Sequence, residues 1–91
     1  MYVTISIGNT DNKLSQEEWS RYVEEVDEIL RTNGKIHFFG GAPNWMPWQN
    51  TAWIADILPE NSTTVASRLN ATRVLYKQRS LFFMVGTPDF I

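Results

Sequence analysis

The succession of hydrophobic periods constrains what this chain can fold into more than any single residue does. Val3, Ile5 and Ile7 alternate with Tyr2, Thr4 and Ser6, the period of a strand with one buried side. From Leu14 the period becomes helical. Ser15 and Glu18 form a capping box, with Leu14 placed to staple against Trp19. Trp19, Tyr22, Val23, Val26, Ile29 and Leu30 then make one apolar stripe, with Glu17, Arg21, Glu24, Glu25 and Glu28 on the wet side. Asn33 and Gly34 supply the stop, Gly34 being suited to a left-handed cap. Lys35 to Phe39 is predicted as a second strand, ended by Gly40 and Gly41. Thr51 to Leu58 is a third, apolar enough to lie mid-sheet, and Pro59 ends it. A second helix is expected from Asn61 to Gln78, capped by Asn61 or Ser62. Its buried stripe is Val65, Leu69, Thr72 and Tyr76, helped by Ala66 and Leu75. Ser80 to Val85 is the last strand, and in the tail from Gly86 to Ile91 the final Phe90 and Ile91 can still pack.

This order predicts one α+β domain over residues 1–91, a ferredoxin-like βαββαβ sandwich with two helices on one face of a four-stranded antiparallel sheet. The other face is then open. Tyr2, Thr4 and Ser6 point to it, joined by His37, Phe39, Phe82 and Met84 or their neighbours, and a face that apolar is expected to be covered by a second subunit. Trp53 is assigned to the core or that interface. The length of 91 residues, short enough for a monomer to be only modestly stable, also favours a homo-oligomer.

Several chemistries drop out. Without cysteine the chain has no disulfide, thiolate nucleophile or cysteine-ligated metal. His37 is the only histidine, so no multi-histidine metal site forms within one chain, and on a strand it reads as a hydrogen-bonded or interface residue. Asp56, an acid in an apolar strand, is read first as the partner of an arginine, with an edge position or a raised pKa as alternatives. Gly40-Gly41 lacks the lysine and spacing of a phosphate loop. We find no catalytic constellation and expect neither metal nor cofactor. The first residues show no signal peptide or membrane span, and a cytoplasmic location is expected. The formal charge of -2 argues against general nucleic-acid binding. It hides an asymmetry: acids crowd residues 11–28, while Arg68, Arg73, Lys77 and Arg79 lie close together with no acid among them.

Gly40 to Trp53 holds three of the four tryptophans and two of the four prolines. A loop this aromatic can plug the core, wall a ligand site or anchor a protein partner. In the ligand reading Trp45 and Trp48 stack a planar group while Asn44, Gln49 and Asn50 read its polar edge. Arg73 and Lys77, one helical turn apart, and Arg79 would meet its phosphate or carboxylate. A nucleotide-like molecule satisfies both halves.

Around Ala42-Pro43 and Pro47-Trp48-Gln49-Asn50, with Trp53, the chain resembles small bacteriophage-encoded proteins. That resemblance implies an accessory protein in the host cytoplasm, sequestering a nucleotide-like host signal, and it supplies no site residues. The alternatives are an inhibitor or accessory of a host protein, working through the same loop or the acidic first helix, and a small dimeric enzyme. For the enzyme, the fold is similar to dimeric α+β barrel proteins, some of them oxygenases, with His37 or Asp56 in the cavity.

Overall fold

The computed structural model describes residues 1–9, 13–41 and 49–91. Strand β1 (Tyr2–Gly8), helix α1 (Gln16–Asn33), strands β2 (Gly34–Gly41) and β3 (Asn50–Ile57), a single 3-10 turn (Pro59–Asn61), helix α2 (Ser62–Leu75) and strand β4 (Phe82–Gly86) follow in order. The strands form one antiparallel sheet in the order β2-β3-β1-β4, the ferredoxin-like arrangement. Among the described residues no helix is long and apolar enough to cross a membrane.

The alternation in β1 does what its period requires. Val3, Ile5 and Ile7 are buried under the helices with Trp53, Ala55 and Ile57 of β3. Against them pack Tyr22, Val26, Ile29 and Leu30 from α1 and Val65 and Leu69 from α2. Helix α1 starts on its capping box: the Glu18 amide donates to the Ser15 hydroxyl at 3.1 Å, and Glu18 accepts from the Ser15 amide at 2.9 Å. Hydrogen bonding to the carboxylate, from the Ser15 amide first and then from the Ser15 side chain, lowers the pKa of Glu18 from its ordinary value. Leu14 is buried, and Trp19 packs at the edge of the core.

Three local expectations are corrected. Gly34 is extended, with φ 174, not a left-handed cap. The helix passes directly into β2 there, and a Cβ on Gly34 would lie 2.1 Å from the Asp56 carbonyl oxygen, so glycine is required by backbone approach to β3. Gly40 and Gly41 are the last two paired residues of β2 rather than a break beyond Phe39; a Cβ on Gly41 would stand 2.3 Å from the Asn50 carbonyl oxygen. Helix α2 stops at Leu75, and its stripe is narrower than expected: Val65 and Leu69 are buried, whereas Ala66 and Leu75 are exposed. Asn61 occupies the cap position without a side-chain bond.

The helices meet through aromatic rings. Tyr22 and Tyr76 stack with centroids 4.9 Å apart, and the Tyr76 hydroxyl donates to Glu25 Oε1 at 3.0 Å, so Glu25 is half-buried instead of on the wet side. The Tyr22 hydroxyl is buried and, among the described residues, is the one buried side-chain polar atom without a hydrogen-bond partner. Its burial pushes its pKa up to about 12, against a small opposing effect of Arg73. An unfolded tyrosine ionises near pH 10. The stabilising contribution of neutral Tyr22 is therefore complete below about pH 10 and is lost as the pH rises towards 12. Tyr22→Phe removes both the unsatisfied hydroxyl and this titration. It is expected to raise stability at neutral pH by about 1 kcal/mol and to flatten the alkaline loss in denaturant titrations. A loss of stability at neutral pH would show that the hydroxyl has a partner.

Candidate functional site

The topology gathers three connections at one end of the sheet: β1 to α1, β2 to β3, and α2 to β4. Gly8 pairs with Asn50, Gly41 with Thr51, and Ser6 with Phe82 at the start of β4. A buried asparagine ties two of these connections together. Asn9 Nδ2 donates to the Leu14 carbonyl at 3.0 Å and to Gln49 Oε1 at 2.9 Å, its Oδ1 accepts from the Leu14 amide at 3.0 Å, and its own amide donates to the Gln49 carbonyl at 2.9 Å. Gln49 Nε2 in turn donates to Gln16 Oε1 at 2.9 Å. Both ends of the Gln49 amide, assigned in sequence to ligand reading, thus bridge Asn9 and Gln16. Asn50 is exposed at the start of β3. Asn44, Trp45 and Trp48 lie outside the described residues.

On the β4 side of this end, Arg73 and Arg79 line a cleft of about 390 Å³ between α2 and β4. Leu69, Leu81 and Phe83 supply apolar wall, and Asn70 and Ser80 polar edge. The two arginines are not equivalent. Arg73 donates to Asn70 Oδ1 at 2.9 and 3.2 Å, to the Gln78 carbonyl at 2.7 Å and to the Arg79 carbonyl at 3.2 Å, which fixes the connection. The Arg79 guanidinium has no hydrogen-bond or ion-pair partner among the described residues.

Lys77 sits between them in the left-handed region, with φ 57. The Lys77 amide donates to the Val74 carbonyl at 3.0 Å and the Gln78 amide to the Arg73 carbonyl at 3.1 Å, the Schellman pattern that ends a helix. A non-glycine residue there costs about 1–2 kcal/mol, which the two bonds and the Arg73 clamp offset. Lys77 does not line the cleft.

The open face is built from cross-strand rows. Phe38, Ile54, Thr4 and Met84 form one row through all four strands, and Gly40, Ala52, Ser6 and Phe82 the next. Phe38, Ile54, Phe82 and Met84 are all exposed. The His37 ring lies 5.4 Å from that of Tyr2. Phe39, expected on this face, is on the other one, because the ladder slips by one residue between Ile36 and Phe38 and turns Phe38 outward. Phe39 pairs with Trp53 and packs on it at 5.5 Å. Trp53 is fully buried within its own chain, and its Nε1 donates to Asp27 Oδ1 at 3.1 Å. It is a core residue. Phe39, Val23, Ile36, Glu24, Asp27 and Arg31 border a groove of about 750 Å³ beside α1. Asp56 accepts from the Met1 ammonium at 2.8 Å rather than from an arginine.

No family model matches the chain, and no curated protein matches it. Among the described residues no three histidine, aspartate or glutamate side chains are grouped as a metal site would need. The residue of this end of the sheet that sequence reasoning missed is Asn9, a structural tie and not a cleft residue. Its signal was an asparagine between a strand and a capping box, five residues before Leu14, which reads as a turn residue unless its burial is known.

Asn9→Ala leaves the Leu14 amide and carbonyl without their side-chain partner in a buried setting, and the expected loss is about 2–3 kcal/mol. Denaturant titration of Asn9→Ala beside Gln49→Ala and the double variant gives the coupling. Purely additive losses would contradict the network.

Proposed function

We propose that this protein is a small non-enzymatic binding protein that takes a nucleotide-like organic anion at the α2–β4 cleft. One observation carries the reading: Arg79, an arginine whose guanidinium has no partner among the described residues, opens on a cleft with an apolar wall. Its volume of about 390 Å³ falls in the usual range for small-molecule sites, about 300–1,000 Å³. The chemistry is divided between the two halves of such a ligand. Leu69, Leu81 and Phe83 offer contact to a planar or aliphatic group, with Asn70 and Ser80 beside them for its polar edge. Arg79 offers a forked donor set to phosphate or carboxylate oxygens. Arg73 acts by holding the Gln78 and Arg79 carbonyls, and so the direction of the connection, while its charge adds to the field at the cleft. The phage setting suggested by residues 42–50 fits a protein that sequesters such a ligand instead of transforming it.

Calorimetric titration with adenosine 5′-monophosphate, guanosine 5′-monophosphate and inorganic phosphate tests the reading. A mononucleotide is expected to bind more tightly than phosphate. Arg79→Ala is expected to weaken binding about tenfold or more, in line with loss of a charge-assisted hydrogen bond of about 1.5–3 kcal/mol, with the thermal midpoint unchanged. Absence of binding by either nucleotide, or equal binding by wild type and Arg79→Ala, would contradict it.

A further inference from the structure

We propose that the open face of the sheet is a self-association surface, and that two copies of this chain pack face to face about a twofold axis passing between β1 and β3. The inference is independent of the cleft, which lies on the helix side.

The face is large enough for this occupant. Four strands about 4.8 Å apart and about 3.4 Å per residue along the seven residues of β1 give a footprint of about 450 Å². The tail extends it, since Phe90 is 81% exposed while its ring sits 5.8 Å from Tyr2. Covering that aromatic adds about 150–200 Å². The sum, about 600–650 Å² per copy, reaches the lower range of specific interfaces, about 600–1,000 Å² per partner.

Its shape suits a second sheet. Gly40 has no side chain, and the Phe38 ring lies over it: a Cβ there would come 2.9 Å from Phe38 Cζ. The ring is thereby laid along the sheet, leaving a surface on which another sheet can pack at the usual spacing of about 10 Å.

Its charge selects the occupant. The two central rows, Phe38-Ile54-Thr4-Met84 and Gly40-Ala52-Ser6-Phe82, contain no ionisable side chain. Lys35 and Asp56 are register partners at the margin, and Asp56 accepts from the Met1 ammonium. A nucleic acid or an anionic membrane needs cations on the surface that meets it, and a charged protein needs an opposite charge. The two central rows packed on their own twins bury no charged side chain, while Lys35, Asp56 and His37 lie towards the margin of the face. Such packing also removes the exposed Phe38, Ile54, Phe82 and Met84 from water at both ends of one operation.

Sedimentation velocity across micromolar concentrations tests this directly. Wild type is expected to sediment at twice the 10.5 kDa chain mass. Thr4→Arg places like charges near the axis from both copies and is expected to weaken dimerisation at least 100-fold. Met84→Lys, on the outer strand, gives a second reading should Thr4→Arg fold poorly, as monitored by circular dichroism. Arg68→Glu, exposed on α2, is expected to leave the dimer intact. A wild type that stays at the monomer mass, or a dimer unaffected by the folded variants on this face, overturns the proposal.

Discussion

Two helices can cover one face of a four-stranded sheet, and the rest of the molecule follows from which face they cover. The alternation of β1 commits Val3, Ile5 and Ile7 to the helices, and antiparallel pairing passes that choice to its neighbours, so Trp53, Ala55 and Ile57 take the same side. Once this is set, Thr4, Ser6, Ile54, Phe82 and Met84 have nowhere to go but the other side. Burying Trp53, Tyr22 and the aliphatic residues around them supplies the driving force, several kcal/mol for each large side chain before conformational entropy is subtracted. The open face is the complement of the core.

The parts of this arrangement that depend on local chemistry were legible in the sequence. The β1 alternation, the Ser15-Glu18 box and the α1 stripe each involve residues a few positions apart, so their spacing carries the information. What was not legible depends on the partner strand. The slip at His37 cannot be read from β2 alone, yet it decides that Phe38 faces out and Phe39 faces α1. Gly34 illustrates the same limit: its place at a helix end suggested a left-handed cap, whereas the actual demand is the close approach of Asp56 in β3. Helix α2 was harder to delimit because its exposed Val74 and Leu75 obscure the period.

For the site, residue type was legible and availability was not. Arg73, Lys77 and Arg79 are equally cationic in the sequence. In the fold Arg73 is committed to carbonyls, Lys77 holds the left-handed position of the helix end, and Arg79 is left facing the cleft. Gln49 is similarly committed to Asn9 and Gln16. The polar groups near this end of the sheet thus divide into those that fix the connections and those that, among the described residues, have no internal partner. Only the hydrogen-bond inventory separates them.

The two proposals assign separate surfaces: the open sheet face to a second copy of the chain, and the cleft between α2 and β4 on the helix side to a ligand. The division of the sheet into a face covered within the chain and a face covered between chains is the central claim. Oxidative footprinting read by mass spectrometry at several protein concentrations tests that claim most directly. Trp53 and Tyr22 should be protected at every concentration, while Phe82 and Met84 should be labelled in dilute solution and become protected as concentration rises. Equal labelling of Phe82 and Met84 throughout would contradict the account.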